Sequence, residues 1–225
     1  AQNQIVVAPL FDAAEQTVAS YAHTSTHMTV ENSGSSAATR ASGGIIGILS
    51  SYVDTTISGY TNNASVEGVN AGGIIGAIEN GFSQKYTVAI NNCTNNGAIT
   101  TTDDNIGGIV GYIDRINMII NGITINGSFD GTNVGGVIAE CGDNTGTIEA
   151  NSIVMNATLS GINVGGIIGI STSSYLVLRG DISVTGTLTG TDVGGAIGAM
   201  DLGECVDIDV SISGTISGTQ YTACI

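Results

Sequence analysis

The chain has 225 residues, and its four Lys and Arg stand against 19 Asp and Glu, a formal net charge of -15. That charge repels phosphate backbones and anionic headgroups, which argues against nucleic acid and membrane surfaces as partners. No apolar run reaches the roughly 18 residues of a membrane-spanning helix, and a composition rich in Gly, Ser, Thr, Asn, Ile and Val, with a single Pro, is that of strands and turns.

The chain opens at Ala1 without Met, as a processed mature protein or a fragment would. Gln4, Ile5, Val6, Val7 and Ala8 read as a short strand ended by Pro9. Leu10, Phe11, Ala14, Val18 and Tyr21 then fall at helical spacing, with Asp12, Glu15 and Gln16 opposite them, which predicts an amphipathic helix. Residues 1–42 are therefore expected to cap the N-terminal end of the repeats that begin at residue 43. His23 and His27, four apart in a Ser/Thr-rich stretch with no adjacent carboxylate, are read as surface residues and not as metal ligands.

From residue 43 onward the chain repeats. Gly43-Gly44-Ile45-Ile46-Gly47 returns as variants beginning at Gly72, Gly107, Gly135, Gly165 and Gly194, in steps of 29, 35, 28, 30 and 29 residues. A period in this range predicts a solenoid in which each repeat forms one coil. Before each Gly-Gly the residues alternate: Ile153, Met155, Ala157 and Leu159 share one parity, and Val154, Asn156, Thr158 and Ser160 the other. The pattern recurs around Ile123, Ile182 and Val210, as half-buried strands require. Stacked about 4.8 Å apart, such strands make a parallel sheet with an aliphatic inner face and a Ser/Thr/Asn outer face.

Asn163-Val164 and Asp192-Val193 ahead of Gly-Gly suit a tight corner. The two apolar residues after Gly-Gly, such as Ile167 and Ile168, point to opposite faces if the strand is regular. One of the two columns would then need a cover: the N-terminal helix, a facing sheet or a partner subunit. The 35-residue step comes from an insertion between Gly76 and Gly107, containing Asn91-Asn92-Cys93-Thr94 and Asp103-Asp104, expected to form a loop. At the other end, matching Ile212 to Val184 puts Tyr221 at the place of Val193, with Thr222, Ala223, Cys224 and Ile225 beginning another coil. These four and the segment from Gln4 to Ala8 are the expected subunit-contact ends, predicting end-to-end self-association.

Other motifs read as structural. Cys93, Cys141, Cys205 and Cys224 show no CxxC pairing, so they are buried thiols or a link between coils such as Cys205 with Cys224. No Gly-Lys-Ser/Thr follows the glycine runs, and no calcium-binding nonapeptide surrounds Asp103, Asp104, Asp207 or Asp209. No cofactor and no metal is expected. With no Trp, and only Arg40, Lys85, Arg115 and Arg179 as basic residues, the chain lacks the makings of a polysaccharide-degrading β-helix enzyme. Sequons stand at Asn63, Asn92, Asn126 and Asn156; three share a phase nine residues before Gly-Gly, on the outer face. The outer Thr rows are similar to ice-binding surfaces, although Asp130, Val154, Asp207 and Asp209 interrupt them.

The repeated Val-Gly-Gly-Ile-Ile-Gly preceded by Ser-Gly-Thr-type strands resembles the GLUG-motif repeats of bacterial and protist surface proteins, over residues 43–225. Ala139 in place of the last glycine and the loss of the motif at 222–225 depart from that pattern. The resemblance implies a secreted or surface-attached β-solenoid, often part of an adhesin, with no catalytic residue in common. Together these readings predict an all-β parallel β-solenoid of about seven coils with a short N-terminal capping helix. Its expected role is a non-enzymatic extracellular subunit that stacks end to end, the alternative being an adhesin module for carbohydrate or a host surface.

Overall fold

The computed structural model describes residues 17–19, 31–32, 36–38, 41–51, 53–80, 84–101, 104–172, 174–201 and 203–223. They form an all-β parallel solenoid of about six turns, with no helix among them. Each coil contributes to three parallel sheets. The first stacks Thr17–Ala19, Ile46–Ser50, Ile75–Glu79, Val110–Asp114, Ile138–Cys141, Ile168–Ser171 and Ile197–Met200. The second runs from Glu31–Asn32 through Thr61–Asn62, Thr94–Asn95, Ile116–Ile125, Thr147–Met155 and Tyr175–Val184 to Glu204–Ile212. The third runs from Ser36–Ala38 through Val66–Gly68, Ile99–Thr100, Ser128–Asp130, Thr158–Gly165 and Thr187–Gly194 to Thr215–Ala223.

The repeat found in the sequence is the register of the stack. Ile46, Ile75, Val110, Ile138, Ile168 and Ile197 pair successively as one column. Ile123, Ile153, Ile182 and Val210 form another, and Phe129, Leu159, Leu188 and Ile216 a third. These columns fill one continuous core, with Ile46 and Ile197 at the ends of the first column, and Val210 and Ile216 at the ends of the second and third, only partly buried. Truncating a fully enclosed isoleucine such as Ile153 to Ala is worth about 2–5 kcal/mol.

The two apolar residues after Gly-Gly do not point to opposite faces. Ile74 and Ile75 are both 0 % exposed, and Ile109 with Val110 and Val137 with Ile138 are equally enclosed in the same core. The reason is a bend. The N–H groups of Ile45 and Ile46 both donate to the Ile74 carbonyl, at 3.0 and 2.9 Å, and the paired donation recurs at Ile109, Val137, Ile167 and Ala196. One carbonyl taking two successive N–H groups turns the chain, and strict alternation fails there. No separate cover is required, because the coil turns both columns inward. Glycine permits the bend: a Cβ at Gly135 would overlap the Ile138 carbonyl, and one at Gly136 the Gly166 carbonyl.

Two expectations for the N-terminal region need correction. Thr17–Ala19, within the helix expected over residues 10–21, is a strand paired with Ile48, Leu49 and Ser50. The remainder of that helix and the strand from Gln4 to Ala8 lie outside the described residues, as do His23 and His27. Glu31–Asn32 and Ser36–Ala38 likewise pair in register with Thr61–Asn62 and Val66–Gly68, so all three sheets extend into residues before 43. Local helical spacing at Val18 yields there to backbone pairing along a ready-made sheet edge.

Candidate functional site

The features that single this solenoid out are its final coil, its asparagine columns and one acidic patch. Ile197–Met200, Glu204–Ile212 and Thr215–Ala223 are the terminal members of their stacking paths. One coil earlier, Ile182, Val184 and Leu188 are buried; here Val210, Ile212 and Ile216 are only partly so. Val206 is 60 % and Tyr221 73 % exposed. Thr222 and Ala223 sit on the strand Thr215–Ala223, exposed, opposite Val193 and Gly194. Tyr221 faces Asp192, not Val193 as matching the repeats by sequence has it, because Thr219 and Gln220 together stand opposite Thr191. Cys224 and Ile225 lie outside the described residues.

Asparagines line three columns. Inside the core, Asn62 Nδ2 donates to Asn95 Oδ1 at 2.8 Å and to the Ala64 carbonyl at 2.9 Å, both side chains being fully buried. The same amide closes the corner, its Oδ1 accepting from Ala64 N–H at 3.1 Å. Two coils after Asn95, Met155 occupies this column, and its sulfur accepts from Ala157 N–H at 3.2 Å. A second column follows Asn70, Asn105, Asn133 and Asn163, each later Nδ2 donating to the earlier Oδ1 at 2.7–2.8 Å. It ends at Asp192, whose buried Oδ1 has no partner.

The third column lies outside. Asn96 Nδ2 donates to Asn63 Oδ1, and Asn126 Nδ2 to Asn96 Oδ1, both at 2.8 Å; Thr185 Oγ1 donates to Asn156 Oδ1 at 3.2 Å. Three sequon asparagines, Asn63, Asn126 and Asn156, thus belong to one outer row, with Asn63 and Asn156 exposed and Asn126 half-buried. Asn96 escapes the shared phase because it stands eleven residues, not nine, before Gly107. The fourth sequon, Asn92, is exposed at a left-handed corner with φ 53°, a conformation asparagine tolerates.

The acidic patch surrounds Tyr112. Burial, reinforced by Asp114, Glu140, Glu79 and Asp143, pushes its phenol up to about 12. Glu140 is raised chiefly by burial, opposed by hydrogen bonds from the Asn105 and Asn133 side chains. Glu140 therefore couples this patch to the second asparagine column. Cys93 and Cys141 are buried and their thiols are pushed up by that burial, which makes them poor nucleophiles; Cys205 is exposed, and none of the three is in a disulfide. Asp207 and Asp209 are exposed on Glu204–Ile212, while Asp103 lies outside the described residues. Among the described residues no group of three or more His, Cys, Asp or Glu is arranged to hold a metal ion, and no helix is long and apolar enough to cross a membrane.

No family model, curated protein or solved structure matches the chain. What the geometry offers, among the described residues, is an outermost strand on each of three sheets, above a core whose last described layer is half covered.

Proposed function

We propose that the chain is a non-enzymatic extracellular structural protein, a β-solenoid rod that stacks end to end as the subunit of a filament or surface assembly. The observation that supports this is the relation between the two ends. At the N-terminal end the described strands with no earlier neighbour are Thr17–Ala19, Glu31–Asn32, Thr55–Ser58, Ser36–Ala38 and Ser42–Gly43; at the other the outermost are Ile197–Met200, Glu204–Ile212 and Thr215–Ala223. All pairings within the stack are parallel. A second copy displaced along the axis by its own length therefore presents strands of the same three sheets, running in the same direction, to the strands at this end. Such a contact is heterologous and does not close on itself, which is the geometry of an open filament.

Its energy would come from the source that joins successive coils, backbone pairing with aliphatic columns running on beneath it. Val210, Ile212 and Ile216, partly buried now, would become interior side chains. The resemblance to GLUG-motif repeats favours a secreted or surface-attached setting. The test is negative-stain electron microscopy of the purified chain over a concentration series, with light scattering alongside and with a variant lacking residues 1–9. Regular fibres lost in the truncated chain are expected. Isolated particles at every concentration would overturn the reading and favour the adhesin alternative, for which the outer Asn and Thr row is the candidate contact and a glycan-binding screen the measurement.

A further inference from the structure

Asn80, Asn96, Asn121 and Asn126 are each followed by glycine. At such a pair an asparagine is prone to convert without an enzyme, because the glycine nitrogen reaches the side-chain carbonyl carbon with no Cβ in the way. What distinguishes the pairs here is how each glycine N–H is occupied. Gly97 and Gly127 stand in one column with Ala64 and Ala157, at the corner that joins the second sheet to the third. Along this column the residue two places earlier either supplies an acceptor or does not. Asn62 Oδ1 accepts from Ala64 N–H at 3.1 Å, Asn95 Oδ1 from Gly97 N–H at 3.2 Å, and the Met155 sulfur from Ala157 N–H at 3.2 Å. At Gly127 the corresponding residue is Ile125, which has no acceptor; at Gly186 and Gly214 it is Val184 and Ile212. Gly186 and Gly214 follow Thr185 and Ser213, which offer no amide to attack, whereas Gly127 follows Asn126.

The other pairs are guarded. Gly97 is buried while Gly127 is exposed, although the two asparagine side chains are held alike: Asn96 Nδ2 donates to Asn63 Oδ1 and Asn126 Nδ2 to Asn96 Oδ1, both at 2.8 Å. Gly122 lies inside the strand Ile116–Ile125, at a place where the N–H is committed to the sheet: its counterparts Gly59 and Asn92 donate to the Asn91 and Asn121 carbonyls at 3.0 and 2.9 Å. Asn80 is buried and its amide donates to the Gln84 and Arg115 carbonyls, while Gly81 lies outside the described residues. We propose that Asn126-Gly127 is a site of spontaneous deamidation. The Gly127 nitrogen gives its proton to solvent and attacks Asn126 Cγ; a new N–C bond closes a succinimide ring as the Cγ–Nδ2 bond breaks, and the amide nitrogen takes up a proton and leaves as ammonia. One water then opens the ring at either carbonyl, leaving aspartate or isoaspartate at position 126. Either product removes the donor to Asn96 Oδ1 and the sequon, and isoaspartate also adds a carbon to the backbone at the corner.

The experiment incubates the folded chain in mildly alkaline buffer and follows each Asn-Gly pair by peptide mapping with mass spectrometry, each rate being taken relative to the same pair in a sample unfolded in guanidinium. In the folded chain Asn126 should convert roughly fivefold faster than Asn96, the rate equivalent of the one net hydrogen bond that occupies the Gly97 N–H. It should also run ahead of Asn121. Ile125→Asn, which sets an acceptor behind Gly127 as Asn95 does behind Gly97, should bring Asn126 down to the rate of Asn96, and Asn95→Leu should raise Asn96 toward that of Asn126. Circular dichroism establishes that each variant is folded, and the wild-type ranking decides alone where one is not. Asn126 converting no faster than Asn96 or Asn121 in the folded wild type would overturn the proposal, as would a folded wild type that converts at none of these pairs. A folded Ile125→Asn chain in which Asn126 converts as fast as in wild type would overturn it too.

Discussion

Asn163 hands its amide to Asn133 at 2.7 Å, and the next residue in its column, Asp192, has no amide to hand back. Three coils of like-directed side-chain bonds therefore stop at a carboxylate whose buried Oδ1 is unpartnered. Asp192→Asn restores a donor at that place. It should stabilise the protein by about 1 kcal/mol, the net worth of a hydrogen bond formed by a formerly unsatisfied group. Urea unfolding checks this; an unchanged or lower midpoint would mean that the column does not extend.

The buried pair of Asn62 and Asn95 supports a double-mutant cycle. Asn95→Leu alone leaves the Asn62 amide without one of its partners in a dry core and should cost about 1–3 kcal/mol. Replacing both by leucine should cost less than the sum of the single changes, because Ile125 and Met155 fill the same column in later coils. Additive losses in guanidinium unfolding would show that the amides act separately, each through its own corner.

Glu140 gives a pH dependence of definite sign. Its folded pKa is raised, so the folded state binds a proton more readily than the unfolded chain. The stabilisation associated with that proton is complete below the ordinary carboxylate value near 4.3 and is lost as pH rises through the higher folded value. Glu140→Gln should thus melt higher than wild type at pH 7, with the difference vanishing below about pH 4. A variant that melts lower at pH 7 would show that the Asn105 and Asn133 bonds outweigh burial.

The glycines after each corner are not equivalent. Gly165→Ala would drive a methyl into the Ile168 carbonyl of its own coil and should cost about 3 kcal/mol or more. Gly169→Ala should cost less, because a Cβ there meets the Ala139 carbonyl and the Val134 backbone at 2.7–2.9 Å where one at Gly165 meets the Ile168 carbonyl at 1.8 Å, and the equivalent place one coil earlier already holds Ala139. Comparable melting temperatures for the two variants would contradict this account of the bend.

Much of this architecture is legible in the residues, and the failures have physical causes. Steps near 29 residues lay Ile46 over Ile75 and Ile138 over Ile168, so the pairing register follows from counting. The inward turn of both Ile74 and Ile75 does not, since it depends on a carbonyl accepting twice, which side-chain alternation does not report. Asn105, Asn133 and Asn163 are visible as corner residues, yet their bonds run between positions 28 to 35 residues apart and form only after stacking. Val18 misled because helical spacing over a few residues weighs little against an open sheet edge. The acidic character of Glu204, Asp207 and Asp209 is plain in the sequence; that they occupy the outermost strand is not.

Parallel pairing throughout gives the molecule a direction, and the amides of Asn105, Asn133 and Asn163 all point their protons the same way along it. No two-fold axis can relate one end to the other. Anything built by repeating this chain along its axis would be polar, like a ratchet with distinguishable teeth. Its two tips would grow and shed subunits at separate rates, and a molecule that covered Glu204–Ile212 would arrest elongation at one tip while leaving the other untouched.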